Sequence, residues 1–187
     1  MSKLTVICGP MFAGKSTRLI TEGEKYIKAG RMVVYLKPSA DTRYSVDEIV
    51  THDKVKVPAS LITNTLKDRY VVERADVVLI DEVQFMEEHL VQEVLDLVNE
   101  GKIVIVAGLD TDYLGQPFPV VRDLMHHEDE LIKIKGICKC GKESVMSSLK
   151  KEAREQVKEI FNLGADDQYE ALCRSCFNRE NKEDVCD

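Results

Sequence analysis

Three groups of residues in this sequence have types and spacings that can do chemistry. Gly9-Pro10-Met11-Phe12-Ala13-Gly14-Lys15-Ser16-Thr17 has the form G-x-x-x-x-G-K-S. Glycines at its ends let the backbone turn N–H groups inward around a polyphosphate at the positive end of a helix. In that setting Lys15 reaches the β- and γ-phosphates, and the Ser16 hydroxyl ligates the Mg²⁺ that accompanies ATP. Asp81-Glu82 closes the apolar run Val77-Val78-Leu79-Ile80, the form of a Walker B strand. There Asp81 holds Mg²⁺ directly or through water, and Glu82 accepts the proton of an attacking hydroxyl. The plainer reading of Glu82 is a carboxylate that caps the N-terminus of the helical segment after Phe85. Cys138-x-Cys140 and Cys173-x-x-Cys176 are two close thiol pairs about thirty residues apart, the spacing of a tetrahedral structural Zn²⁺ site.

These groups need a scaffold that brings strand ends together. Leu4 to Cys8 is a short apolar run entering the glycine loop, Lys15 to Ala29 carries apolar residues near helical spacing with Gly30 as its stop, and Met32 to Leu36 is a second apolar run. That is a β-α-β unit, whose parallel strands present ligands at their carboxyl ends. Val77 to Ile80 and Ile103 to Val106 read as further buried strands. Leu90 to Glu100 and Val120 to Met125 read as helices, Val55 to Val57 as a short strand and Leu61 to Arg69 as a short helix. The expected architecture is α/β, a P-loop NTPase-like parallel sheet flanked by helices over residues 1–135. A small zinc-binding subdomain over residues 136–187 follows, with helical-looking spacing from Leu149 to Ile160. Two loops leave the ligand-bearing edge. Ser39 to Asp53 carries Arg43, whose guanidinium matches phosphate bidentately, and His52, which suits a loop-orienting hydrogen bond. Ala107 to Tyr113 carries an aromatic ring able to stack on a base. His126-His127 are adjacent and so do not point at one metal. Cys186, near the terminus, is a substitute thiol ligand or a surface thiol.

Composition narrows the classes. The chain has 187 residues, 44% hydrophobic and 32% charged, which suits a globular domain with a small appendage. A net charge of −7 opposes electrostatic binding to a nucleic-acid backbone or an anionic membrane. No apolar run has membrane-spanning length and Met1 to Leu4 lacks a signal-peptide core, so a cytoplasmic address is expected. Paired cysteines in a reducing compartment read as metal ligands before disulfides.

As a set, these residues resemble the zinc-containing thymidine kinases shared by bacteria, animals and poxviruses. The resemblance runs from about Lys3 to Cys176. It is carried by Gly9 to Thr17, Asp41-Thr42-Arg43-Tyr44, Thr51-His52-Asp53, Asp81-Glu82-Val83-Gln84-Phe85, Ala107-Gly108-Leu109-Asp110, Pro117-Phe118 and Gly164 to Cys173. It implies transfer of the γ-phosphate of ATP to the 5′-hydroxyl of thymidine, with Glu82 as proton acceptor. Similar enzymes hold the nucleoside by backbone groups of a lasso-like loop, here Ile160, Phe161, Asn162, Leu163 and Gly164, closed over by Tyr169. Tyr113 matches the aromatic contact to the base, and Met11 and Phe85 line the same pocket. Such enzymes are homotetramers, commonly inhibited by the end-product triphosphate. This chain departs in its first pair, C-x-C where similar sequences have C-x-x-C. It departs again after Cys140, where a threonine and a basic residue give way to Met146-Ser147-Ser148-Leu149. Ser147 keeps the hydroxyl, but the departure weakens discrimination for the thymine methyl, so deoxyuridine or another pyrimidine deoxynucleoside stands beside thymidine as an acceptor. The competing readings are a P-loop ATPase, in which Glu82 activates water, and a zinc-ribbon nucleic-acid module, which the acidic charge opposes.

Overall fold

Apolar residues alternating along the strands divide this molecule into two helical layers around one sheet. The computed structural model describes residues 2–41, 48–51, 54–66, 70–154 and 168–182. Strand β1 (Lys3–Cys8) passes through the glycine loop into α1 (Lys15–Lys28) and returns as β2 (Val33–Pro38), the expected β-α-β unit. An antiparallel pair, β3 (Glu48–Val50) with β4 (Lys56–Pro58), precedes the edge strand β5 (Ser60–Ile62). The chain continues through α2 (Tyr70–Arg74), β6 (Val77–Ile80), α3 (Leu90–Asn99), β7 (Ile103–Gly108), α4 (Pro119–His126) and β8 (Glu130–Lys133). The sheet order is β5-β2-β6-β7-β1-β8, and every neighbouring pair is parallel.

The period-two side-chain alternation of a strand explains the layers. Leu4, Val6, Cys8, Val78, Ile80, Val104 and Val106 pack in one cluster with Leu90, Val94 and Leu97 of α3 and Val121 and Leu124 of α4. Ile7, Val77, Leu79, Ile105 and Ala107 pack with Leu19 and Ile20 of α1 on the opposite face. Burying one such side chain stabilises by roughly 1.5–3 kcal/mol, so the strand ends that carry polar chemistry are set in two dense supports. The ends of β1, β6 and β7 therefore form a rigid crevice edge.

Two expectations need correction. The stretch from Leu61 to Arg69 is not one helix: Ser60–Ile62 pairs in parallel with β2, Ser39 N–H donates to the Ile62 carbonyl at 2.9 Å, and residues 67–69 lie outside the described residues. Ile62, Thr63 and Thr65 are β-branched and Asn64 favours a turn, so a ladder beside β2 replaces the expected helix. Leu149 likewise belongs to a strand, and the helical segment after it is Lys151–Arg154.

Beyond β8 the chain makes two small antiparallel pairs, β9 (Gly136–Ile137) with β10 (Glu143–Ser144) and β11 (Met146–Leu149) with β12 (Tyr169–Leu172). Helix α5 (Lys151–Arg154) follows β11, and α6 (Arg174–Lys182) follows β12. Cys138, Met146, Leu172, Cys173, Cys176 and Phe177 form a third, separate apolar cluster there. Among the described residues no helix is long and apolar enough to cross a membrane.

Candidate active site

The glycine loop has the geometry its residue types demand. Gly9 has φ +149°, and a Cβ on it would lie 2.2 Å from the Ile134 carbonyl oxygen, so the loop can leave β1 only with glycine here. Phe12 also sits at positive φ, 61°, and Gly14 at 84°, as the residue preceding α1. The first turn of α1 has no side-chain cap and no acidic residue. Its N–H groups and positive dipole end remain uncompensated by the helix's own side chains, an anion site by construction. Lys15 is buried, and its Nζ donates to the Pro10 carbonyl at 2.8 Å, which keeps the ammonium inside the loop. Ser16 is half-buried, whereas Thr17 faces solvent. A Gly9→Ala variant is expected to displace the loop and raise KM for ATP by ~10-fold or more, with a lowered Tm. Nucleotide titration followed by calorimetry checks this, and unchanged values would mean that the loop tolerates the methyl group.

The acidic strand end meets this loop. Asp81 continues the pairing of β6 with β2, its N–H donating to the Leu36 carbonyl at 3.0 Å, and it is buried. Burial, with the Glu82 carboxylate beside it, pushes the Asp81 acid up to about 7, while a hydrogen bond from Ser16, the Glu82 N–H and the charge of Lys15 pull it down. One buried carboxylate thus senses the loop serine, the loop lysine and the second acid together. Glu82 turns into the left-handed region, φ 54° and ψ 39°, with its N–H held by Asp81 Oδ1 at 3.0 Å. A non-glycine residue held there costs about 1–3 kcal/mol, and such positions cluster at functional sites. Glu82 precedes the short 3-10 turn Val83–Phe85 but makes no side-chain capping bond to it; its carboxylate accepts from Gln84 Nε2 instead. The helix after Phe85, α3, has His89 at its N-cap position and no side-chain capping bond.

Ser16, Asp81 and Glu82 together have the donor chemistry of a site for a hard divalent cation. A serine hydroxyl hydrogen-bonds a buried carboxylate whose ionisation is opposed by a second carboxylate, and a hard cation would relieve that repulsion. The cysteines make the corresponding case for a softer metal. One ligand atom from each of Cys138, Cys140, Cys173 and Cys176 lies within 4.8 Å of every other. Cys140 Sγ approaches Cys138 Sγ at 3.5 Å and Cys173 Sγ at 3.7 Å. The C-x-C pair is accommodated by a tight turn in which Gly141 N–H donates to the Cys138 carbonyl and Cys138 N–H to the Lys142 carbonyl, both at 2.8 Å. Burial pushes the Cys138 thiol up, yet hydrogen bonds from the Cys140 and Cys173 backbone and from neighbouring thiols bring it down to about 7. The Cys173 and Cys140 thiols push Cys176 up to about 12. Four sulfurs this close cannot all ionise without a cation between them, which is the chemistry of a Cys₄ zinc site.

Other predicted residues fall around these centres. The Met11 N–H donates to Ser147 Oγ at 3.0 Å, tying the glycine loop to β11. Tyr169, at the start of β12, shares with Phe12, Ala13 and Gly136 an open cavity of about 640 Å³. Tyr113 is half-buried on a loop fixed by Asp112, whose Oδ1 accepts from Leu114 N–H at 2.9 Å and Gln116 N–H at 2.8 Å. Phe85 is half-buried at the end of the 3-10 turn. Arg43, His52, Cys186 and the segment Ile160, Phe161, Asn162, Leu163 and Gly164 lie outside the described residues. Two ion pairs escaped the sequence reading. Lys133 Nζ, at the end of β8, meets Asp110 Oδ2 at 2.8 Å, past the end of β7, bridging the root of the glycine loop because β1 lies between those strands. Lys37, near the end of β2, pairs at 3.2 Å with Asp41 just past it, and both are buried. The second has helical i,i+4 spacing but spans a strand end, so only the fold reveals it.

Comparison with known proteins adds to this geometry. The sequence profile of the family described as Thymidine kinase matches residues 2–177. A thymidine kinase of Bacteroides thetaiotaomicron is 37% identical over 183 residues, covering 97% of this chain and 90% of that protein. A thymidine kinase of Thermococcus kodakarensis is 35% identical over 180 residues, covering 91% of each chain. Among solved structures, the flagellar accessory protein FlaH from Methanocaldococcus jannaschii matches 70% of each chain with a TM-score of 0.49 and 14% identity.

Proposed function

This chain belongs to the thymidine kinase family, and from that premise we propose that it transfers the γ-phosphate of ATP to the 5′-hydroxyl of thymidine through the site at the ends of β1 and β6. One observation carries the reading: β1 and β6 run parallel on either side of β7, so the glycine loop and the Asp81-Glu82 pair leave the same edge of the sheet, where Ser16 and Lys15 act on the buried Asp81 carboxylate.

The division of labour follows from the chemistry of each group. The N–H groups of Gly9 to Thr17 and the Lys15 ammonium bind and orient the β- and γ-phosphates. Ser16 and Asp81 would hold Mg²⁺, which supplies charge neutralisation on the transferring phosphoryl group. Glu82 accepts the proton of the 5′-hydroxyl as it attacks, and Arg43 joins the phosphate contacts. The nucleoside lies between Met11, Phe85 and Tyr113 on one side and Tyr169 with the backbone of Ile160 to Gly164 on the other. Residues 1–135 form the nucleotide-binding domain and residues 136–187 the zinc-held subdomain that closes over the nucleoside. Such closure excludes water, so that ATP is transferred to the nucleoside and not hydrolysed. Zn²⁺ on Cys138, Cys140, Cys173 and Cys176 is structural. The protein acts in the cytoplasm as a homotetramer.

Incubation with γ-labelled ATP, Mg²⁺ and a panel of nucleosides tests the reading. Label is expected in thymidine 5′-monophosphate, with deoxyuridine accepted as a second substrate because the departure at Met146-Ser147-Ser148-Leu149 weakens discrimination for the thymine methyl. Label in inorganic phosphate alone would instead make the protein an ATPase.

A further inference from the structure

Gln84 is 6% exposed, two residues beyond Glu82, and both ends of its amide are engaged. Its Oε1 accepts from the Leu109 N–H at 3.0 Å. A backbone N–H can only donate, so the carbonyl end of the amide must face Leu109 and the NH₂ end must face away. That NH₂ end donates to Glu82 Oε2. Room for this arrangement comes from Gly108, where a Cβ would stand 2.8 Å from Gln84 Oε1 and 2.8 Å from Val83 Cγ2. Any larger residue at 108 would push the amide off the Leu109 N–H. Glu82 is thus held twice, by Asp81 at its backbone and by Gln84 at its carboxylate.

We propose that Gln84 is a positioning residue for this reaction: its amide, fixed by the Leu109 N–H and admitted by Gly108, aims the Glu82 carboxylate at the acceptor hydroxyl. The inference rests on the reading of Glu82 as proton acceptor. An amide in this orientation presents Glu82 with a donor and nothing else, so it holds the carboxylate in one rotamer. It also links the segment after β6 to the segment after β7. The loop that carries Tyr113 begins one residue past the Gly108-Leu109 contact with Gln84, so the proton acceptor and the proposed nucleoside-facing loop share one hydrogen-bonded brace.

Two variants separate positioning from simple bracing. Gln84→Glu keeps an acceptor for the Leu109 N–H but turns a carboxylate oxygen toward Glu82, which repels it. Gln84→Met keeps the length and loses both hydrogen bonds. Both are expected to lower kcat by ~10-fold or more, since misplacement of a reacting group by about 1 Å can cost 10²-fold. KM for thymidine and for ATP should stay within about twofold, as the phosphate loop is untouched. A residue that merely braces the turn predicts the opposite for Gln84→Glu, which preserves the brace and would keep its kcat. Parental turnover in Gln84→Glu, or losses confined to KM in both variants, overturns the proposal. Should Gln84→Glu fail to fold, the kcat-against-KM split in Gln84→Met decides. Glu82→Gln is measured alongside. If it is inactive while the Gln84 variants are unimpaired, only the positioning inference fails; if it is fully active, the proton-acceptor reading fails and removes this one with it.

Discussion

Glu82→Gln is expected to bind ATP as the parent does and to turn over ~10²–10⁴ times more slowly, the usual worth of a positioned proton acceptor. The two halves of this result come from different parts of the site. On the proposed reading, phosphate affinity resides in the loop from Gly9 to Thr17, in the buried Lys15 and in the first turn of α1, whereas the substitution lies past the end of β6. Geometry is also conserved, because a glutamine at 82 still offers an oxygen to Gln84 Nε2 and keeps its backbone N–H for Asp81. What disappears is a group able to take a proton from the attacking hydroxyl. Steady-state kinetics with a direct ATP-binding titration checks both halves. Full turnover would exclude Glu82 from the chemistry, and lost ATP binding would make it a structural residue of the phosphate site.

Disabling the cysteine cluster as a metal site should have a comparably large effect on turnover, reached through loss of structure and not of a proton acceptor. The third apolar cluster has six buried members, three of which are Cys138, Cys173 and Cys176, so most of its specificity of packing depends on what joins the sulfurs. A core this small is marginal alone, and zinc binding worth roughly 10–16 kcal/mol in small zinc-folded peptides is folding free energy in such sites. Cys173→Ser with Cys176→Ser is therefore expected to abolish zinc stoichiometry and to reduce thymidine phosphorylation by ~10²-fold or more through loss of the closing wall and of the Ser147 tie to Met11. The sheet, supported by its own two clusters, should keep binding ATP. Metal analysis, calorimetry and ATP titration follow the three consequences separately. Zinc-free protein with unchanged phosphorylation would detach the cysteine subdomain from the function.

Much of this was legible before the fold was known, for a physical reason. Gly9 to Thr17 and Val77 to Glu82 each place local residue types at the end of a single strand, so spacing alone predicts their neighbourhood. The cysteine pairs were legible because four soft ligands at short spacing have few other uses, and the tight turn through Gly141 explains how C-x-C replaces a longer link. Leu61 to Arg69 misled because the deciding contact, Leu36 with Ser60, is made by a strand distant in sequence. Lys133 with Asp110 and Gln84 with Leu109 belong to the same class, since each joins loops that follow different strands. Gln84 stood inside a recognised motif with no role attached. Its role depends on Gly108 lacking a Cβ, which no pattern in the segment around residue 84 encodes.

The measurement that bears most directly on the whole reading is a crystal structure with a bisubstrate analogue joining adenosine to thymidine through a polyphosphate chain. The account predicts Lys15 on the phosphates and a Glu82 oxygen within about 2.6–3.2 Å of the thymidine 5′-oxygen, with the ring enclosed beside Met11. A thymidine moiety bound away from Glu82, or phosphates lying outside the Gly9 to Thr17 loop, would contradict it.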